Sequence, residues 1–481
     1  MYMSFSDFLL ILHGLLVIGF TIRILLRDDL TPPSRLAWFI VLNLFPYGGS
    51  LLYFLFGEVD IGHHAREVHE RIVSDIRARV PGWFGNWDEI EPYIDPAWRA
   101  PFRYAASVNG FDPVGGNRAE LMPDADATLE RMVADIDAAT DHVHVLYYIW
   151  LEDGTGTAIA EALMRAAGRG VTCRALADGL GSRAMTSSPL WKRMREAGVQ
   201  TAVTLPLSRL LRTLLLSRLD LRNHRKITVI DGCVTWCGSR NSADPEFRIK
   251  AKYAPWVDIM LRFEGPVVAQ KQALFASDWI AATGESFDGF HASTEPLPGG
   301  FVAQAFGDGP TERQGATPHL FVSLISSASE RLVMTTPYFV PDASVLEALC
   351  SVALRGVEVD LIFPERNDSW VVAAASHSYY RKLLRAGCRI HHFQGGLLHA
   401  KTLTIDGNLS LIGSTNMDLR SFDLNYENNI LLQDEATTTA IFTRQNEYLA
   451  DSVPVTRQEV HDWSRSRRIW NNVIATVGPV L

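Results

Sequence analysis

The chain has 481 residues, 47% of them hydrophobic and 21% charged, so it is too long for one ordinary domain and has apolar material for several cores. Its 45 lysines and arginines against 54 aspartates and glutamates leave a net charge of −9. That balance excludes generic nucleic-acid binding, which needs a basic surface to neutralise phosphates. Five scattered cysteines exclude a secreted disulfide scaffold, and Cys233-x-x-x-Cys237 lacks the paired spacing of a zinc site.

The N-terminal end is distinct. Residues 8–22 are apolar apart from His13 and small or hydroxyl positions, and they end at Arg23. After Arg27-Asp28-Asp29 and Pro32-Pro33, residues 36–57 carry no charge. About 20 apolar residues suffice for a helix to cross the ~30 Å hydrocarbon layer, so residues 1–60 are expected to form a transmembrane helical hairpin. A cleaved signal peptide is disfavoured, because no basic n-region or small-x-small site is present. Pro46-Tyr47-Gly48-Gly49 falls within the second segment, where it either kinks the helix or makes it re-entrant. Arg23, Arg27 and Arg35 in the connecting loop argue for a cytoplasmic loop and an external remainder. Arg66, Arg71, Arg77 and Arg79, with the unpaired cysteines, argue for a cytoplasmic remainder, which is the expectation adopted here. Residues 61–114 carry few motifs and read as a linker and packing segment.

From about residue 115 the chain repeats itself, giving expected halves at 115–295 and 296–481. Arg169-Gly170-Val171 recurs as Arg355-Gly356-Val357, and Ala197-Gly198-Val199 as Ala386-Gly387-Cys388. Apolar β-rich runs (144–150, 332–340) alternate with helix-like ones (157–167, 345–354), the pattern of an α/β fold with a central sheet. The clearest repeat is His224-x-Lys226-x4-Asp231-Gly232 against His399-x-Lys401-x4-Asp406-Gly407. Each is followed by Gly-Ser-x-Asn, at Gly238-Ser239-Arg240-Asn241 and Gly413-Ser414-Thr415-Asn416. Asp-Gly between two β-branched runs is a strong hairpin signal. Residues at i and i+2 of a strand share a face, so each histidine projects with its lysine. An imidazole and an ammonium ahead of a Ser-x-Asn turn suit the handling of a phosphate. Asp231 and Asp406 are accounted for equally well by the turn alone. Residues 205–222, rich in leucine with Arg209, Arg212, Arg218 and Arg222, are expected to form an interfacial helix on anionic membrane, or else a core-packing one.

The doubled His-x-Lys-x4-Asp with Gly-Ser-x-Asn resembles the phospholipase D superfamily. The apolar N-terminus, Tyr147-Tyr148-Ile149-Trp150, Asn223-His224-Arg225-Lys226, Pro337-Tyr338-Phe339-Val340-Pro341-Asp342 and Asn416-x-Asp418-x-Arg420-Ser421 with Asn425-x-Glu427 narrow the resemblance to the bacterial cardiolipin synthases. The resemblance implies two fused phospholipase D-like α/β domains with central mixed sheets and one active site between them. Its candidate catalytic residues are His224, Lys226, Asp231, His399, Lys401 and Asp406, with His224 as nucleophile and His399 as general acid/base. Lys226, Lys401, Asn241 and Asn416 would hold the phosphate oxygens, with Ser239 and Ser414 in support. Asp258 and Glu427 would orient the histidines. No metal or other cofactor is implied. The expected partners are phosphatidylglycerol and anionic membrane lipid, with no nucleic acid, and the expected place is the bacterial inner membrane. Self-association into a homo-oligomer stays open. The expected reaction joins two phosphatidylglycerols into cardiolipin and glycerol. The rivals are a membrane-anchored hydrolase, a nuclease relative and a non-catalytic scaffold.

Overall fold

A computed structural model describes residues 4–28, 30, 32–57, 63–206 and 221–476. Of the leucine-rich stretch 205–222 expected to dock on membrane or pack in the core, residues 207–220 lie outside the described residues.

In the N-terminal region, helix Phe5–Leu25 starts at a capping box in which Ser4 and Asp7 satisfy each other's backbone N–H. Its 21 residues make it long and apolar enough to cross a membrane. The second apolar stretch breaks at Pro46-Tyr47-Gly48-Gly49, the run expected to kink it or make it re-entrant. It forms two shorter helices, Pro32–Leu44 and Gly48–Phe56. Pro46 drives its predecessor out of helical geometry, and Tyr47 turns the chain at φ 58°. A Cβ at Gly49 would lie 2.3 Å from the Val41 carbonyl oxygen, so glycine is what allows the second piece to fold back so tightly. Neither piece alone has the length of a crossing helix. Tyr53 packs against Phe20 and Trp38 and ties the helices together.

In the remainder of the chain the first half contributes β1 (Val114–Leu121), β2 (His142–Tyr147), β3 (Thr172–Asp178), β4 (Gln200–Thr204), β5 (Arg222–Asn223), β6 (Ile227–Ile230), β7 (Val234–Gly238), β8 (Trp256–Val257) and β9 (Met260–Glu264). The second contributes β10 (Phe301–Asp308), β11 (Arg331–Thr335), β12 (Phe339–Val340), β13 (Glu358–Pro364), β14 (Arg389–Phe393), β15 (Leu397–Leu398), β16 (Thr402–Ile405), β17 (Leu409–Gly413), β18 (Met417–Asp418), β19 (Asn425–Gln433) and β20 (Ser452–Val455). Among the described residues one mixed sheet runs β4-β3-β2-β6-β7-β9-β1-β10-β19-β17-β16-β11-β13-β14-β20. It is a mirrored arrangement about the antiparallel β1–β10 pair, with β20 added at one edge.

The duplication read from the sequence is therefore a structural pseudo-twofold. Strands such as β2 are buried along their whole length, as expected where helices cover both faces of a sheet. Helix Val267–Thr283 is nearly enclosed, and Phe275 shares a core with Ala303, Ala305, Ile412 and Ile430 from the second half. The motif-poor stretch before β1 is built into both cores. Trp83, Phe84 and Phe111 join that central core, while Ile94, Trp98 and Phe102 enter the core of the second half. Phe102 has no exposed surface, so truncating it to alanine costs about 3–5 kcal/mol.

Candidate active site

Two short parallel bridges between the halves set the site. In one, Asn223 of β5 lies opposite Tyr426 of β19, and the His224 N–H donates to the Tyr426 carbonyl at 2.9 Å. The next residue of β19 is Glu427. In the other, Leu398 of β15 lies opposite Val257 of β8, and the His399 N–H donates to the Val257 carbonyl at 2.8 Å, just before Asp258. Each histidine is thus delivered to a carboxylate of the other half.

Nδ1 of His224 is 2.9 Å from both oxygens of Glu427, and Nδ1 of His399 is 2.6 Å from Oδ1 of Asp258. Ser414 Oγ donates to Glu427 at 2.5 Å and Asn425 Nδ2 at 3.2 Å, while Ser239 Oγ donates to Asp258 at 2.6 Å. Burial alone would raise both carboxyls. The charges of the facing histidine and lysine, with these hydrogen bonds, carry them below the ordinary carboxylate range instead. An ionised carboxylate only accepts, so each Nδ1 carries the proton and each Nε2 is left as the reacting nitrogen.

Burial pushes both imidazoles down to about 4. For His224 the Glu427 charge pulls upward and Lys226 opposes it; for His399 Lys401 adds to the depression and Asp258 opposes it. Lys226 and Lys401 precede β6 and β16 rather than lying in them, and each Nζ donates to the carbonyl of its own histidine, at 2.7 and 2.6 Å. Burial lowers these ammonium groups to about 8 and about 7, with Asp258, Glu427 and their like holding them up. Two ammonium groups and two carboxylates thus face each other around two neutral imidazoles, and the lysines supply the positive charge that can meet an anion such as a phosphodiester.

Asp231 and Asp406, placed among the catalytic candidates, are committed to backbone. Asp231 accepts from the N–H groups of Thr140, Asp141 and His142 and from the Thr140 hydroxyl. Asp406 makes the matching set with Ser329, Glu330 and Arg331. Both sit at positive φ in their hairpin turns, so they brace the turns rather than carry protons. The serines serve the carboxylates, not an open phosphate position. The amides also differ from one another, Asn241 accepting from Ile149 N–H at 3.2 Å and Asn416 donating to Ser421 Oγ at 3.1 Å. What the motif reading left without a role is the ring on each imidazole, Tyr148 against His224 at 4.8 Å and Trp256 against His399 at 4.5 Å. Trp256 stands two residues before Asp258, as Asn425 does before Glu427, a spacing that marks equivalent positions.

A pair of crossed histidine–carboxylate dyads with two lysines, on one sheet shared by two halves, defines a phospholipase D-like protein. Residues 132–279 and 321–448 match the family described as "Cardiolipin synthase, PLD-like domain", and residues 15–58 match "Phospholipase_D-nuclease N-terminal". Cardiolipin synthase A of Serratia proteamaculans is 35% identical over 472 residues, covering 96% of this chain and 95% of its own. That of Yersinia pestis is 34% identical over 467 residues, with 96% and 94% covered. The chain belongs to the cardiolipin synthase family of the phospholipase D superfamily. Among solved structures, phosphatidylserine synthase of Haemophilus influenzae shares the fold, with a TM-score of 0.56 at 12% identity over 76% of this chain and 95% of that one.

Proposed function

We infer that the chain is a membrane-anchored phosphatidyltransferase that joins two phosphatidylglycerols into cardiolipin and glycerol. The observation that carries the reading is the crossed pair of dyads, each with a free Nε2, in a chain 35% identical over nearly its whole length to a cardiolipin synthase. Nε2 of neutral His224 attacks phosphorus, and the bond to the glycerol oxygen breaks as protonated His399 gives that oxygen its proton. The phosphatidyl group is then held on His224. His399, now neutral, takes the proton of the second lipid's terminal hydroxyl. That oxygen attacks phosphorus, the P–N bond breaks, and both histidines return to their starting states.

The negative charge of a phosphodiester against the two imidazoles offsets the depression of their pKa values and lets one of them hold the proton. Lys226 and Lys401 stabilise the charge that develops on the non-bridging oxygens. A transferase must also favour a lipid alcohol over water, which is far more concentrated, so positioning and water exclusion decide the product.

The test is to incubate purified protein with labelled phosphatidylglycerol in proteoliposomes and resolve the products. Cardiolipin is expected, and excess glycerol should drive cardiolipin back to phosphatidylglycerol. Phosphatidic acid at every lipid density, with no effect of glycerol, would make the enzyme a hydrolase. The placement of the active site on the cytoplasmic face of a bacterial inner membrane is checked by protease accessibility in sealed vesicles.

A further inference from the structure

One face of the molecule exposes large apolar side chains that its fold does not need. On helix Arg465–Thr476 the inner positions Asn471 and Ile474 are buried, Ile474 in a cluster with Val340, Ala374 and Ala375. The outer positions Ile469, Trp470 and Val473 are exposed by 64%, 51% and 53%. Trp470 stacks on Trp370, itself 64% exposed at the start of helix Trp370–Ala386, with ring centroids 6.0 Å apart. Ile249, 65% exposed in the turn Arg248–Tyr253, belongs to the other half. That turn is tied to the same region by Lys250 Nζ on Asp368 Oδ2 at 2.5 Å, two residues before Trp370.

The charge on these segments runs against that of the chain. With a net charge of −9 overall, none of the three segments contains a single aspartate or glutamate, and each contains cations, among them Arg248, Lys252, Arg465 and Arg468. Tryptophan with aliphatic side chains flanked by arginine is the composition of a surface that sits at a lipid interface. The patch is also anchored to the site. Asp368 accepts from Tyr338 Oη at 2.7 Å, and β12, which carries Val340, pairs with β18 directly after Asn416.

We propose that Ile249, Trp370, Ile469, Trp470 and Val473, with the surrounding arginines, form a face that docks on an anionic lipid bilayer and holds the active site at the level of the headgroups. The identity of the surface rests on the reading of the chain as a lipid phosphatidyltransferase, but its test does not depend on turnover. Of the five cysteines only Cys233 is exposed, so full-length Cys233→Ser protein accepts a fluorophore at Val473→Cys. Reconstituted in phosphatidylcholine vesicles containing phosphatidylserine, the label should shift to the blue and be quenched by doxyl-labelled lipid. A label at the exposed Thr439→Cys, on helix Glu435–Ala450, should respond much less. Arg465→Gln with Arg468→Gln should weaken the docked state by roughly tenfold. Ile469→Cys gives the same readout should Val473→Cys fail to fold. Quenching at position 473 no greater than at 439 would overturn the proposal. So would a blue shift that depends on protein concentration without anionic lipid, which would assign the face to a second copy of the chain.

Discussion

Around His224 the second half supplies Glu427, which has no exposed surface and offers both oxygens to Nδ1, with Asn425 and Ser414 donating to it. Around His399 the first half supplies Asp258, which bonds through one oxygen, and the position of Asn425 is taken by Trp256, stacked on Phe247 at 3.9 Å. The backbone of the two sites is the same and the furnishing is not. A histidine whose Nδ1–H is shared by both oxygens of a buried carboxylate, with Tyr148 against its ring, is held in one orientation, which suits a nucleophile that must meet a single phosphorus atom. A histidine held at one point beside an apolar aromatic wall suits a group that exchanges protons with two different alcohols. The comparison teaches that duplication supplied the symmetric framework, and substitution around it gave the two histidines different settings.

The strongest way to break that comparison is to remove each histidine. His224→Ala and His399→Ala should each lower turnover by about 10⁴-fold or more, because neither role has a substitute. Trapping separates them. Phosphatidyl label should accumulate on His224 in His399→Asn protein wherever the first alcohol can still leave, and none should accumulate in His224→Asn. Label mapped to His399 would reverse the assignment.

Next in size are the carboxylates, whose loss should cost roughly 10²- to 10⁴-fold in kcat. Because the dyads cross between the halves, a change in the first half should read as a defect of the second histidine. In Asp258→Asn both the single-turnover burst of phosphoenzyme and its discharge should slow, because His399 gives the proton in the first step and takes one in the second. In Glu427→Gln the slowing should fall on the burst. Identical burst and discharge kinetics in the two variants would mean that the halves are functionally equivalent and that the contrast drawn from Glu427 and Trp256 has no consequence.

The crossing was not legible in the sequence. The duplication, the hairpins and the two His-Lys pairs were, because repeated residue types at fixed spacing and Asp-Gly turns are local signals. Which carboxylate meets which histidine is decided by β5 on β19 and β8 on β15, bridges too short to leave a periodic pattern. Ser239 and Ser414 were read as support for the phosphate site because their type allows it. Only the tertiary fold shows that the Gly-Ser turn after β7 and β17 aims each hydroxyl at a carboxylate. The second apolar stretch was long enough for a passage by composition. Pro46 and Gly49 divide it, a backbone effect that hydropathy does not register but that the Pro-Tyr-Gly-Gly run signals. Trp83, Phe84 and Phe102 lie in a stretch without motifs, since packing places no demand on a recognisable pattern.

A third prediction concerns acid. In the unfolded chain both imidazoles take a proton near pH 6.5, whereas in the fold they do so only near about 4. Between those values the unfolded state binds more protons, so stability falls as pH is lowered through the window. Each histidine accounts for at most about 3 kcal/mol of that loss. Above neutrality the depressed ammonium groups of Lys226 and Lys401 should make the thermal midpoint rise further with pH. The midpoint should decline from pH 6.5 to 4, and His224→Gln or His399→Gln should each flatten part of the decline. A midpoint independent of pH over this range would mean that the histidines are not held neutral by burial.

The smallest expected effect is at Asp231 and Asp406, and it is the one place where the halves should behave alike. Each carboxylate gathers backbone N–H groups from the start of the neighbouring strand, β2 or β11, across its hairpin. Each also sits in a left-handed turn ahead of a glycine. Asparagine tolerates that conformation and keeps one acceptor oxygen, but it loses the negative charge that strengthens those bonds. Asp231→Asn and Asp406→Asn should therefore cost about 1–3 kcal/mol of stability each, seen as a lower thermal midpoint, with kcat nearly unchanged at low temperature. If the residues acted on protons, either variant would lose turnover by orders of magnitude while melting like the wild type. A loss of activity at one aspartate alone would show that the symmetry of the framework, and not only of its furnishing, had been broken.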